Sequence, residues 1–175
     1  VSLVGIINAD LVLNFPNYRN KEMTFDLISQ TIGRSGRQEK RGEAIVQTSY
    51  VDDYAIKTAS EQDYDAFYEE EILSRRKLQN PPFTSICSVD IKSKKYEDVQ
   101  KFSRKMKAFL ESAKLENVTI SGPSYIEYRQ GQYFTRIFIK YKKLSVVKST
   151  IESLINVYSS NNYVGVKINF NPYSY

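Results

Sequence analysis

Two consecutive prolines, Pro81 and Pro82, stand near the middle of the sequence, and no regular helix or central strand can run through them. Proline lacks the backbone N–H that both kinds of ladder need, and it drives the residue before it out of helical geometry. The chain must therefore be built in stretches that meet at this junction, and the stretches differ in charge. Residues 1–50 carry six basic and five acidic groups, residues 51–82 four and eight, and residues 83–175 fifteen and seven. The last stretch holds an excess of +8 within a chain whose net charge is +5. Such a local excess suits a polyanionic partner, either nucleic acid or the acidic tail of a protein. It also suits a solvated, lysine-rich surface.

Before the junction the pattern is strand, helix, strand. Residues 2–9, SLVGIINA, form a short apolar run rich in β-branched residues, as a buried parallel strand does. The run begins at Val1 itself, which reads as a chain cut from a longer protein. Residues 10–21, with Asn14, Pro16 and Asn17, read as a loop. Thr24 is placed to cap a helix through Ile32, with Phe25, Ile28 and Ile32 on one stripe and Gly33 and Gly36 ending it. Residues 43–48, EAIVQT, give the second strand, so the whole is a βαβ unit and predicts an α/β sheet. Residues 51–79 are acidic and helical in pattern, with Ile56, Ala59, Phe67, Tyr68 and Ile72 as buried positions. The division expected is 1–50, a connector 51–81, and a basic domain 82–175.

After the junction a second rhythm appears. Strands are predicted over 83–92, 118–128, 133–141 and 164–170, and helices over 96–113 and 145–158, with Gln130-Gly131 as the turn of a hairpin. This β-α-β-β-α-β order is the split βαβ, ferredoxin-like arrangement of an α+β domain. Tyr125, Tyr128, Arg129, Tyr133, Phe134, Arg136, Lys140 and Lys142 cluster on the hairpin. Aromatics stack on unpaired bases while basic groups follow phosphates. Any one of these aromatics more readily reads as core, with Phe134 and Phe138 on one strand face or Ile137 and Ile139 on the other packing against the helices. The tip, Tyr128 to Tyr133, should be exposed, which makes Tyr128, Arg129 and Tyr133, followed by Arg136 and Lys140, the DNA-contact candidates. Lysines at 140–143 also fit a solvated strand edge.

The residue inventory excludes several chemistries. There is no histidine and one cysteine, Cys87, so an intrachain disulfide, a Cys/His zinc cluster and a Ser-His-Asp or Cys-His nucleophile are impossible within this sequence. Cys87, between Ile86 and Val89, reads as a reduced core residue of a cytoplasmic protein. The longest apolar stretch, Leu3 to Phe15, is interrupted by Asn8, Asp10 and Asn14, so no membrane span is predicted.

The segment with most chemistry is QTIGRSGR, residues 30–37. Arg34 and Arg37 leave a helix end through Gly33 and Gly36, and glycine allows guanidinium groups to approach a ligand closely. Arginine forks onto phosphate oxygens and can neutralise charge developing on a γ-phosphate. A basic turn capping a helix C-terminus has the same composition. Gln30, four residues before Arg34, completes a QxxGRxGR string that resembles motif VI of superfamily 2 helicases.

Further strings, NAD at 8–10, PNYR at 16–19, TFDL at 24–27, GE at 42–43, QT at 47–48, DYDAFY at 63–68, Arg75-Arg76 and the Pro81-Pro82-Phe83 junction, are similar to the primosomal protein N′ (PriA) family. Asn8 and the segment Asn169-Phe170-Asn171-Pro172 stand where that family's pattern is more acidic. The resemblance implies the tail of a RecA-like motor lobe followed by a domain similar in fold to a small ribosomal-subunit protein. It implies an ATP-driven 3′-to-5′ DNA helicase that reloads replication machinery at abandoned forks, a nucleoid-associated role. Gln30, Arg34 and Arg37 would lie in the ATP and Mg²⁺ cleft with Gly33 and Gly36, Arg37 being the arginine finger. Implied partners are forked and single-stranded DNA, the acidic tail of single-stranded-DNA-binding protein, and primosome or helicase-loader proteins. Zinc would belong to a cysteine-rich region outside this sequence. The phosphate loop and DExH acid are also outside it, so this stretch alone should not hydrolyse ATP. A stand-alone nucleic-acid-binding module and a protein-docking platform are the rival readings.

Overall fold

The computed structural model describes residues 3–35, 43–158 and 163–172. They fall into two units that divide between Leu78 and Gln79. In the first, β1 (Leu3–Ile6) and β2 (Glu43–Val46) pair in parallel, Leu3 against Glu43 through Ile6 against Val46. Burial on both faces is not seen: Leu3 and Ile45 are more than half exposed, because α2 (Asn20–Ile32) covers one side of the pair only. The stretch expected as a loop contains one helical turn, α1 (Asp10–Leu13), and α2 begins at Asn20. Thr24 is therefore not a cap. It lies buried a turn inside α2, where its hydroxyl donates back to the Asn20 carbonyl.

The acidic stretch makes two helices, α3 (Tyr54–Glu61) and α4 (Tyr64–Lys77). Each starts on an aspartate that accepts a first-turn N–H, Asp53 from Ala55 and Asp63 from Ala66. Arg75, Arg76 and Lys77 close α4 at the negative end of its dipole. Instead of bridging as a connector, these helices complete the core of the first unit: Ala55, Ile56, Ala59 and Phe67 join Ile6, Leu13, Phe25 and Ile28. The Phe25 and Phe67 rings stack with centroids 4.5 Å apart. Tyr68, expected inside, is exposed and lies against Tyr64.

The second unit runs β3 (Ser85–Ser93), α5 (Tyr96–Ser112), β4 (Val118–Ser121), β5 (Glu127–Arg129), β6 (Gln132–Tyr141), α6 (Leu144–Tyr158) and β7 (Gly165–Phe170). Its antiparallel sheet has the order β4-β6-β3-β7, and β5 also pairs with β6. Both helices pack on one sheet face. Val99, Met106 and Leu110 of α5 and Val147, Ile151 and Leu154 of α6 meet Cys87, Val89, Ile91, Ile137, Ile139 and Tyr141 there. Burial, reinforced by the charge of Asp90, pushes the Cys87 thiol up to about 12.

The single strand predicted over 118–128 is split. Gly122 takes a φ of 101°, and a Cβ there would lie 2.8 Å from the Arg136 carbonyl oxygen. Pro123, next in line, has no N–H to pair. The chain is then re-tied to β6 by the Ser124 N–H on the Arg136 carbonyl (2.8 Å) and the Thr135 hydroxyl on the Ser124 carbonyl (2.7 Å). At the hairpin tip both Gln130 (φ 50°) and Gly131 (φ 77°) are left-handed, the geometry of a two-residue type I′ turn. Replacing either glycine with alanine separates crowding from backbone preference. Gly131→Ala, with open space around it, should cost about 1 kcal/mol. Gly122→Ala, strained and crowded by backbone, should cost about 3 kcal/mol. Urea unfolding midpoints measure both, and equal losses would refute this account of the split.

Candidate nucleic-acid interface

In the first unit, the described part of QTIGRSGR closes α2. Gly33 ends the helix in right-handed geometry (φ −60°), so its special freedom is not used. The N–H of Arg34 then donates to Thr31 and that of Ser35 to Ile32, tightening the last turn. Gln30 and Arg34 are both exposed, a turn apart, and neither side chain has an ion pair or hydrogen bond among the described residues. Gly36 and Arg37 lie outside the described residues. Beside the C-terminal ends of β1 and β2, Asp10 accepts bonds from the Thr48 hydroxyl and the Ser49 N–H. These bonds, the Thr48 one foremost, hold its carboxyl below the ordinary value. The strings at 8–10 and 47–48 therefore meet in space, at the strand ends where open α/β sheets place ligands.

Arg75 has a packing role. It donates to Glu71 and Glu22 at 2.6 Å each, and Tyr54 donates to the other oxygen of Glu71, also at 2.6 Å. Burial opposes ionisation of Glu22, yet the bonds from Arg19 and Arg75 outweigh it and lower its pKa.

In the second unit, the β5–β6 tip presents Tyr128, two-thirds exposed, and an exposed Arg129. Tyr133 is half-buried between Tyr128, at 4.9 Å, and Tyr96, which it meets edge-on at 5.6 Å. Alternation along β6 settles which aromatics serve the core. Thr135, Ile137, Ile139 and Tyr141 are buried, on the helix side for the last three, and Phe134, Arg136, Phe138 and Lys140 occupy the opposite, open face. The Arg129 guanidinium lies 3.7 Å over the Phe134 ring.

Two of the five DNA-contact candidates are committed elsewhere. Arg136 forms a forked pair with Asp90, Nε to Oδ1 at 2.6 Å and the second nitrogen to Oδ2 at 2.8 Å, with both side chains about seven-eighths buried. Lys140 donates to the Asn80 side chain at 2.6 Å, and burial lowers its pKa. Conversely, Lys92 and Lys167 reach the open face near Phe134. Strand alternation could have revealed them, since Lys92 is in register with Phe134 and Lys167 with Asp90.

The family described as the primosomal protein N C-terminal domain matches residues 76–173. This chain belongs to that family, and its curated relatives carry the name replication restart protein PriA. Replication restart protein PriA of Bacillus subtilis (strain 168) is 31% identical over 99% of this chain and 22% of its own length. Its namesake from Borreliella burgdorferi is 36% identical over 89% of this chain and 23% of its own. That of Chlamydia pneumoniae is 43% identical over 47% of this chain and 11% of its own. The chain thus spans less than a quarter of the length of each of these PriA relatives. Among solved structures, the de novo designed protein Foldit4 aligns with a TM-score of 0.42 at 10% identity, over 51% of this chain and 97% of its own.

Asparagine at positions 8, 169 and 171 has a geometric basis. Asn8 (φ 60°) and Asn171 (φ 48°) take the left-handed conformation that asparagine tolerates. The Asn169 amide donates to Asp90 at 2.9 Å, a bond no carboxylate could supply. Among the described residues there is no cluster of three metal-ligating side chains, and no helix is long and apolar enough to cross a membrane. Removing Asp90 should strand the Arg136 charge. Asp90→Ala is expected to cost about 3–5 kcal/mol in urea unfolding, whereas an Asp90→Leu/Arg136→Met pair should recover most of it. A loss below about 1 kcal/mol in the single variant would show that the pair does not organise the sheet.

Proposed function

We infer that this chain is the C-terminal portion of an ATP-dependent 3′-to-5′ DNA helicase that restarts stalled or collapsed replication forks and initiates primosome assembly. The observation that carries the reading is the exposed Tyr128–Arg129 hairpin tip on a unit with a +8 excess, within a chain of the PriA family. The name of the relatives, replication restart protein, supports the process. The first unit is the tail of a RecA-like lobe, supported by the parallel β1–β2 pair with α2 across it. The second is a ferredoxin-like DNA-binding domain, supported by its element order and its helix-free sheet face.

ATP with Mg²⁺ is the proposed cofactor of the complete protein. An exposed guanidinium at Arg34, with no ion pair among the described residues, suits phosphate oxygens, and Gln30 stands one turn away. Arg34 and Arg37 would neutralise charge developing on the phosphates, and ATP, when bound, would supply the phosphoryl group. Proposed partners are forked and single-stranded DNA, primosome loaders and single-stranded-DNA-binding protein, whose acidic tail the basic unit would attract.

Two experiments test this reading. In the complete protein, Arg37→Ala should lower DNA-stimulated ATP turnover about 10³-fold while leaving DNA affinity nearly intact; unchanged turnover would remove Arg37 from the mechanism. In fluorescence anisotropy titrations at several salt concentrations, Tyr128→Ala should weaken DNA binding by about 1–3 kcal/mol with the salt slope unchanged. Arg129→Glu should reduce both affinity and slope. Binding of an acidic peptide but not of DNA would favour the docking-platform reading.

A further inference from the structure

On the open face of the second unit's sheet, a cavity of about 420 Å³ lies between β3, β7 and the β5–β6 tip. Phe134 gives it an aromatic wall, and Lys92, Arg129 and Lys167 bring cations to it. None of the three is in an ion pair among the described residues. The carboxylate in the lining, Asp90, is already held by Arg136 and Asn169, so the balance presented to a ligand is positive. Gly165 makes room for Lys92: a Cβ there would stand 3.0 Å from the lysine Cε. An adjoining depression of about 660 Å³ shares Lys92, Gln132, Gly165 and Val166 and adds Lys94, Lys95 and one carboxylate, Asp98, which the Ser93 hydroxyl approaches at 3.4 Å. The cations therefore mark a path leading away from the aromatic ring.

The Phe134 ring lies on the face opposite the helices and outside their core; the Arg129 guanidinium lies over it at 3.7 Å, and that of Arg136, already held by Asp90, stands farther off at 5.3 Å. An exposed cation–π contact of this kind is weaker than the stacking of a nucleobase on an aromatic side chain. The geometry points to a subsite for one unpaired nucleotide of single-stranded DNA. The base stacks on Phe134 in place of the Arg129 guanidinium. Arg129, Lys92 and Lys167 then meet the flanking phosphates, and the strand continues toward Lys94 and Lys95. A base inside a duplex is already stacked on both sides, so the subsite selects single strands. This inference rests on the reading of the second unit as DNA-binding and adds to the hairpin tip an adjoining subsite on the sheet, which shares Arg129 with the tip and is distinguished from it by Phe134, Lys92 and Lys167.

The test uses the 175-residue chain and an oligodeoxythymidine of about ten nucleotides carrying one 2-aminopurine. Fluorescence quenching reports stacking, and anisotropy across a salt series reports affinity. Phe134→Leu should abolish the quench and weaken binding about 5- to 150-fold with the salt slope unchanged. Lys92→Gln/Lys167→Gln changes only exposed side chains. It should lower the slope by about 1.4 and keep the quench at saturation. Thermal unfolding of each variant controls for folding, and the lysine pair remains decisive if Phe134→Leu unfolds. Parental quench and affinity in a folded Phe134→Leu, an unchanged slope in the lysine variant, or tighter binding to duplex than to single strand would each overturn the subsite. If only Tyr128→Ala weakens binding, the sheet site fails and the tip reading stands. If the parent protein binds no DNA at any salt concentration, both fall.

Discussion

Asp90 and Arg136 face each other from neighbouring strands, and the direction of every other side chain along those strands follows from their pairing. Neither charge could be left alone at that depth without a large desolvation penalty. Asn169 brings β7 to the same carboxylate, so three strands are held at one level. A slip of one residue would turn the pair toward the helices and the aliphatic residues toward water. Phe134 and Phe138 stand two residues to either side of Arg136, so the pair also determines that they face outward. The electrostatics of the open face follow as well: the acid is satisfied internally, and the lysines beside it retain their charge for a ligand.

The first unit relies on a comparable arrangement among helices. Arg75 joins α4 to α2 through Glu22, while Glu71 accepts Tyr54 from α3. Several of the strings that resemble the PriA family serve this framework. Phe25 and Phe67 stack, Asp63 caps α4, and Asp10 links the two strand ends. Resemblance over these positions reports packing, whereas Gln30 and Arg34 stand exposed with no structural task among the described residues.

Features written in local chemistry could be read from the sequence. Gln130-Gly131 specifies its own turn, and apolar spacing places Val99, Met106 and Leu110 on one side of α5. Features that depend on a distant partner could not. The Gly122-Pro123 break lies inside an otherwise strand-like run, and the crowding that requires glycine comes from the backbone of Arg136, on another strand. Arg136 and Lys140 look like ligands for phosphate in one dimension. Only folding shows that Asp90 and Asn80 reach them first. The acidic helices looked like a connector because their charge faces outward; their thin apolar stripe, Ala55, Ile56, Ala59 and Phe67, is what completes the core.

Cys87, the sole cysteine of the sequence, sits wholly buried with its thiol displaced far toward the protonated form. Electrophiles react with thiolates, and only where they can reach them. The native fold should therefore react only slowly with maleimides and iodoacetamides. A cysteine introduced by Gln130→Cys at the hairpin turn would accept a fluorophore selectively, with no need to remove the native residue. The protein thus comes prepared for single-site labelling, with its own thiol hidden under the helices.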